Sequence, residues 1–413
     1  MASIDTKMAW RNIWRHPRRS ILTMSAVAFA TLLLIFMLSW QFGSYETMID
    51  SVVRIHTGHF QIQAEGFNDK RSIRLVVSDP KTVGKILDRH QEVKHYTFRA
   101  GAFALISSKK RTYGAMIVGI DPEKERIVST LKQLVREGSY LAPDDGPQAL
   151  VGRLLAKRLH VELGNELVIL GQGRDGSVAA TVVKVKGIFS SGQDAFDRSV
   201  IHIPLDFFND VFAMRGAVHE VVAVAESLGD LPQIKRAVKN ALSGMPQKYP
   251  LVALDWKELM PGLIQAIHMD LISGFIFYII LIVVVAFSIM NTFVMAIFER
   301  TREFGVLMAI GTTPGRLTKL LLAESITMTF IGILFGIFIG SIITWYFQVY
   351  GLVISGASEL LGAYGLPEKM HPQLSILSVG IGAGVVLVIT LFAALYPALK
   401  VGRLRPVEAM RHA

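Results

Sequence analysis

Four long apolar runs, unevenly spaced, constrain what this chain can fold into more than any other feature. Ile21–Phe42 stands near the N-terminus, and Leu271–Phe298, Ser325–Tyr350 and Leu374–Leu399 come far downstream. None of them contains Asp, Glu, Lys or Arg. Each exceeds the roughly 20 residues that cross a hydrocarbon core. The chain therefore reads as an integral membrane protein, an α-helical four-span bundle in a 1+3 layout. Residues 43–270 are left for work outside the bilayer.

Basic residues set the expected orientation. Lys7, Arg11, Arg15, Arg18 and Arg19 precede the first span, opposed only by Asp5. Arg300, Arg302, Arg316 and Lys319 separate the second span from the third, and Lys400, Arg403, Arg405 and Arg411 follow the fourth. The 351–373 loop has Lys369 against Glu359 and Glu368. Positive charge is retained inside, so both termini and the 299–318 connection are expected in the cytoplasm. Residues 43–270 are then extracytoplasmic, periplasmic in a bacterium with an inner membrane. The formal charge of +10 is largely this topology signal. No basic–aromatic interleaving marks the soluble part for nucleic acid.

The first run is too long for a signal-peptide core, and Ser39-Trp40-Gln41-Phe42 is no small-residue cleavage site, so it is expected to remain as a span. Zero cysteines exclude disulfides, iron–sulfur centres and thiolate zinc sites.

Between the first two spans the pattern is mixed, an α+β domain expected in two subdomains. Phe60–Gln63 and Arg74–Val77 have strand character, and Val168–Leu170 with Ala180–Val185 predict a hairpin. Its turn spells G-x-G-x-x-G at Gly171, Gly173 and Gly176, but no helix follows; these read as turn glycines with positive φ, not a dinucleotide site. Val151–Leu159 and Leu231–Leu242 carry helical spacing, and 124–146 looks like connecting structure between the halves. Asp255 with Glu258 forms a capping box, and Leu259, Leu263, Ile267 and Leu271 continue at helical spacing into the second span. This predicts one continuous stalk helix. The expected segments are an amphipathic helix over 1–20, spans over 21–42, 319–350 and 374–399, the outer domain over 43–254 and stalk plus second span over 255–298. A coupling helix and loop over 299–318, an outer loop over 351–373 and a tail over 400–413 complete them.

Gly332, Gly336 and Gly340 in the third span, and Gly380 and Gly384 in the fourth, predict close helix packing, within one bundle or across a dimer. No ionisable group lies within the runs, which argues against an ion or proton pathway. His56 and His59, spaced i, i+3, could ligate a metal, but no third ligand is suggested nearby and they read more readily as solvated polar histidines at the domain entry; Asp194, Asp197 and Arg198 read as a structural ion-pair loop. Neither supports a catalytic assignment.

The strongest local signal follows the second span. Glu299, Arg300, Arg302 and Glu303 pair at helical spacing, then Val306, Leu307 and Ile310 predict a short amphipathic helix stopped by Gly311 and Pro314. A stop-transfer cluster explains the arginines but not two carboxylates at a negative membrane surface. Docking of a protein partner explains both.

This stretch resembles the type VII ABC transporter permeases, the group of macrolide-exporter (MacB), lipoprotein-releasing (LolC/LolE) and cell-division (FtsX) membrane subunits. Their signature resembles V-x-E-R-x-x-E-I-G-x-L-x-A-x-G-A. Glu299, Arg300, Glu303, Gly305, Leu307, Ala309 and Gly311 match it, with Phe304 replacing Ile and Met308 where a basic residue is common. Glu324-Ser325, Tyr396-Pro397-Ala398, Arg405 to Arg411, Ala9 to Ser20 and Val151-Gly152 to Asn165 resemble further family segments in the same order. The resemblance implies a permease dimer, of identical or paralogous chains, served by cytoplasmic ATPases. Residues 299–311 would act as the coupling helix, and substrate would be moved on the outer side without crossing between the spans. The chain has no G-x-x-x-x-G-K-[ST], so ATP and Mg belong to a separate subunit and this chain carries no cofactor and is no enzyme by itself. Thr57 to Ile62 resembles lipoprotein-releasing members, although the carrier-recruiting hook of one subunit type has no room in Gly171–Ser177. Lipoprotein release, with membrane lipid and an outer lipoprotein, carrier or adaptor as partners, is the leading expectation. The alternatives are MacB-like export of amphipathic peptides or drugs through an adaptor, and FtsX-like mechanical control of a hydrolase.

Overall fold

The computed structural model describes residues 2–15, 17–245, 248–353, 356 and 369–401. It divides into two compact units, one of 1–45, 267–353 and 369–413, the other of 46–266 and 354–368.

In the first unit, α1 (Ala2–Arg15) leads to α2 (Pro17–Val53), whose missing proline N–H suits a helix start. The outer unit begins within α2 and continues through β1 (Phe60–Ala64), α3 (Phe67–Lys70), α4 (Pro80–Leu87), β2 (Val93–Ser107) and β3 (Thr112–Ile120). Then come α5 (Pro122–Val128), α6 (Leu131–Leu134), β4 (Val135–Gly138), β5 (Gln148–Gly152), α7 (Arg153–Leu159), β6 (Glu166–Gln172) and β7 (Val178–Phe189). It closes with α8 (Asp194–Asp197), β8 (Val200–Pro204), α9 (Leu205–Val211), β9 (Glu220–Ala225), α10 (Leu231–Leu242), β10 (Leu251–Asp255) and α11 (Trp256–Leu259).

The ten strands join one mixed sheet in the order β10-β1-β9-β2-β3-β8-β5-β7-β4, with β6 paired to β2 and β7. Strand β2 is long enough to serve both ends: its first half pairs with β9 and its last residues, Leu105–Ser107, with β6. The two expected halves are thus ends of one sheet. Alternation along the strands fills both faces. Ala115 and Ile117 enter a core with α7 and α9, where Phe208 and Phe212 stack at 4.4 Å. Val118 and Ile120 face the opposite cluster with Leu131, Leu150 and Phe189.

Four local expectations change. Arg74–Val77 contributes only a single bridge, Val77 to Val218. Val151 and Gly152 belong to strand β5, buried between neighbours, and the helix starts at Arg153. Residues 124–146 hold two short helices and β4, which pairs with β7. In the hairpin turn only Gly176 takes positive φ (93°); the Asp175 carboxylate accepts from the Ser177 N–H and hydroxyl and does the rest.

A fifth correction concerns the stalk. The capping box forms as expected, Asp255 accepting from the N–H groups of Lys257 and Glu258. The helix nevertheless stops after Leu259, and α12 (Pro261–Ala309) begins anew. Proline disfavours the helical conformation at the residue before it, and Met260 sits at φ −129°, ψ 64°. After α12, α13 (Pro314–Tyr350), β11 (Leu352–Val353), β12 (Lys369–Met370) and α14 (Ile376–Val401) complete the chain. Helices α2, α12, α13 and α14 each contain a stretch long and apolar enough to cross a membrane. Most of the 351–373 loop and the tail from 402, with Arg403, Arg405 and Arg411, lie outside the described residues.

Candidate functional site

The chain does not break where the second span ends. No Gly or Pro separates Asn291 from Gly305, and Met295, Ala296, Glu299, Arg300, Arg302 and Glu303 are strong helix formers, so α12 runs on to Ala309 as one helix of 49 residues. The expected separate coupling helix is therefore its last turns. The stop falls where the sequence places it. Gly311 takes φ 104°; its N–H donates to the Met308 carbonyl at 3.0 Å, and the Thr312 N–H to the Leu307 carbonyl at 3.0 Å. These two bonds form a Schellman motif, which glycine closes without the penalty a Cβ would bring. Pro314 then opens α13.

The resulting helical hairpin has two apolar faces. Phe304 and Met308 bury against Leu317, with Leu307 and Leu321 beside them. Val306 and Ile310, grouped with Leu307 by their spacing, point the other way, 47% and 78% exposed. The amphipathic expectation missed this because the inner face is set by Leu317 and Leu321, which lie across the turn. Gly305 is buried and Glu303 half-buried; the side chains of Glu299, Arg300 and Arg302 lie outside the described residues. One turn further into α13, Glu324 and Ser325 are also buried.

Helix α13 then packs on α2 through its glycines. A Cβ on Gly332 would stand 2.8 Å from the Met24 carbonyl oxygen, and one on Gly336 2.5 Å from Thr31 Cβ and 2.6 Å from the Ala28 oxygen. On Gly340 it would meet Leu32 Cα at 3.1 Å. In the fourth span the glycine that meets a neighbour within the chain is a different one. Among the described residues nothing stands within 4 Å of a Cβ on Gly380 or Gly384, whereas a Cβ on Gly382 would stand 3.2 Å from the Ile35 nitrogen of α2. The ridge spacing alone cannot tell which side of a helix meets a neighbour.

At the other end of the same unit, α2 and α12 are joined by polar side chains. The Tyr45 hydroxyl donates to Asp270 at 2.5 Å, Gln41 donates to the Tyr45 oxygen at 3.1 Å, and the Tyr278 hydroxyl donates to Gln41 at 2.8 Å. They border a cavity of about 380 Å³ whose apolar wall includes Phe36, Met37 and Trp40. Gln348, the most polar residue of the third run, accepts from the Leu374 N–H at 3.0 Å and so ties α13 to the segment before α14.

With this geometry in view, comparison with known proteins is decisive. The profile of the MacB-like periplasmic core domain matches residues 20–241, and that of the FtsX-like permease C-terminal domain matches 275–406. The chain belongs to the type VII ABC permease family. It is 23% identical over 413 residues to the lipoprotein-releasing system transmembrane protein LolC of Xylella fastidiosa, covering 95% of this chain and 94% of that one. The YknZ permease of Bacillus subtilis is 28% identical over 272 residues, 63% of this chain and 61% of its own. A MacB macrolide export protein of Campylobacter jejuni is 22% identical over 98% of this chain and 60% of its own length.

In this permease the remaining candidate residues serve the outer fold. The histidines are not the solvated pair expected: His59 is 3% exposed, and both ring nitrogens are engaged, Nε2 with Asp50 at 2.9 Å and Nδ1 accepting from the Ala225 N–H at 3.1 Å. His56 lies against Arg99, and burial followed by that guanidinium pushes its pKa well below the ordinary value. A positive neighbour opposes a cation there. Asp194 pairs with Arg198 at 3.5 Å on the surface, whereas Asp197 is buried and accepts from Ser190 and Ser191. One buried ion pair went unread in the sequence: Arg99 donates to Glu125 at 2.6 and 2.9 Å and also to the His56 carbonyl. The partners are 26 residues apart, a separation no local pattern encodes.

Proposed function

We propose that this permease subunit relays the motion of a separate cytoplasmic ABC ATPase to its extracytoplasmic domain, and that the work done there releases lipoproteins from the membrane. The observation carrying the relay is the α12–α13 hairpin. It seals one apolar face with Phe304, Met308 and Leu317 and leaves the other, Val306 and Ile310, open, in a stretch whose sequence also carries Glu299, Arg300, Arg302 and Glu303. A closed inner face makes the element stiff; an open apolar face within a charge-rich segment suits a protein partner. ATP and Mg would be held by that partner, and the termini and hairpin would be cytoplasmic. A second permease, identical or paralogous, would complete the assembly.

Lipoprotein release is supported by a match running along nearly the whole LolC chain, and by the cavity at the α2–α12 junction. Its apolar wall beside a Tyr45–Asp270–Gln41 cluster suits an acylated, polar-headed segment. The short Gly171–Ser177 turn favours a second version, MacB-like export through an adaptor, over any role as the carrier-recruiting subunit. FtsX-like control of a hydrolase stays as the alternative without transport.

Purification of the tagged protein in mild detergent tests the relay. Recovery of a soluble ATPase with a Walker A motif is expected, and a co-purifying lipoprotein or adaptor chooses the cargo. A dimer without any ATPase would sink the proposal. Replacing Glu299, Arg302 or Glu303 by Ala, or Ile310 by Asp, should abolish stimulation of that ATPase while insertion persists. A cysteine at Gly173 should label from outside intact cells, and one at Thr312 should not.

A further inference from the structure

The outer unit sorts its side chains well except on one face. Eight large apolar residues among the described residues of 46–266 are exposed. Two stand apart, Ile127 and Leu163. The other six are Phe103, Leu105, Val168, Leu170, Val178 and Val182, and strand register places them together. Leu105 is opposite Leu170, which is opposite Ala180; Ser107 is opposite Val168, which is opposite Val182. Val178 pairs with Gln172 in the next row, beside Phe103, whose ring lies over Gly114. Residues two apart along a strand share a face, so these rows form one apolar strip across β2, β6 and β7. Scattered surface apolar residues need no explanation; a contiguous strip does.

The strip does not end in neutral surface. The next row along the same face pairs Glu166 with Lys184. Both line a cavity of about 400 Å³ with Lys109, Lys110 and His160. Three lysines and one histidine thus gather around a single carboxylate at one end of the apolar strip. From this row to Val178 is three two-residue steps, about 20 Å at the rise of a strand, over a width of about 10 Å.

We propose that this face binds an anionic amphiphile, its acidic headgroup in the lysine cavity and its hydrocarbon along the β2–β6–β7 strip. The charge at one end selects this occupant. A purely apolar partner leaves the lysines unused, and a free anion leaves the strip uncovered. The site lies within the outer domain and does not depend on what the partner ATPase does.

The absence of cysteine allows one environment-sensitive fluorophore to be placed at Ala180→Cys in the full-length protein, held in nanodiscs of zwitterionic lipid. Dihexanoyl phosphatidylglycerol, below its micelle concentration, should bind at least roughly thirtyfold tighter than dihexanoyl phosphatidylcholine, since two or three lysines contact the charge, each contributing about 1 kcal/mol. Lys109→Gln with Lys184→Gln should remove that preference, and Leu170→Ser with Val182→Ser should weaken both lipids. All four positions are exposed, so unchanged thermal melting will show that the fold survives. Equal binding of the two lipids, or inorganic phosphate binding as tightly as the anionic lipid, would overturn the proposal. So would displacement of the fluorophore signal by an extracytoplasmic protein fraction when neither lipid binds, which would assign the face to protein docking.

Discussion

Helices α12 and α13 are both long and strongly apolar, yet they are used in opposite ways. In α13 33% of the apolar window is buried within the chain, and in α12 only 6%. Hydropathy does not distinguish them. The difference lies in small residues: α13 offers Gly332, Gly336 and Gly340 to α2, while the apolar run of α12 has Gly274 alone and presents Phe275, Phe277, Val284 and Phe287 outward. In lipid, burying apolar surface against a neighbouring helix gains little over burying it in acyl chains, so close backbone approach decides which helices pack. The helix left uncovered is available to lipid or to a second permease.

The largest expected effect breaks the packed side of this comparison. Gly336→Leu forces a side chain into Thr31 and Ala28, and should cost about 3 kcal/mol or more and stop the protein accumulating in membranes. Gly384→Leu, facing open space, should leave the melting temperature in detergent unchanged. Equal outcomes would remove the glycine explanation.

The outer domain is stabilised by different physics, and pH separates it from the bundle. Burial depresses His202 to about 3 and His219 to about 4 from an ordinary value of 6.5. Below 6.5 the unfolded chain binds protons that the folded domain refuses. Stability from these neutral histidines is therefore complete above pH 6.5 and is withdrawn as pH falls toward 4, on the order of 5 kcal/mol for the two together. Proteolysis of the outer domain should accelerate over that window, and His202→Phe should flatten the response. A flat profile in the unmodified protein would show that these rings are hydrated.

A smaller effect is expected at the turn. Gly311→Ala imposes a left-handed conformation on a residue with a Cβ, costing about 1 kcal/mol and reducing ATPase stimulation more than melting temperature. Smallest of all, Phe277→Ala on the open side of α12 should barely alter the stability of the single chain, because nothing among the described residues covers that ring, 69% exposed. A cysteine at Val284 that cross-links two permeases would show that a second subunit supplies the cover.

Much of this was legible without a structure. The four spans need only composition and length, because the bilayer core has a fixed thickness. The stop at Gly311 and Pro314, the Asp255 capping box, and the β6–β7 hairpin are local, set by residues within a few positions of one another. Other features needed tertiary contacts. Helical spacing runs unbroken from Leu259 to Leu271, but the structure puts Met260, the residue before Pro261, out of the helix. Leu307 and Ile310 share a spacing but part company because Leu317 lies across the turn. Gly382, not Gly380 or Gly384, meets α2 because helix rotation is fixed by the neighbour. The Arg99–Glu125 pair and the strip that joins Phe103 to Val178 bring together distant segments through strand register. Sequence by itself determined which segments are apolar, where the local caps and stops at Asp255 and Gly311 fall, and which family the chain resembles, since those depend on near neighbours and solvent. Only the tertiary structure decided which faces are covered, because coverage is a property of what lies opposite.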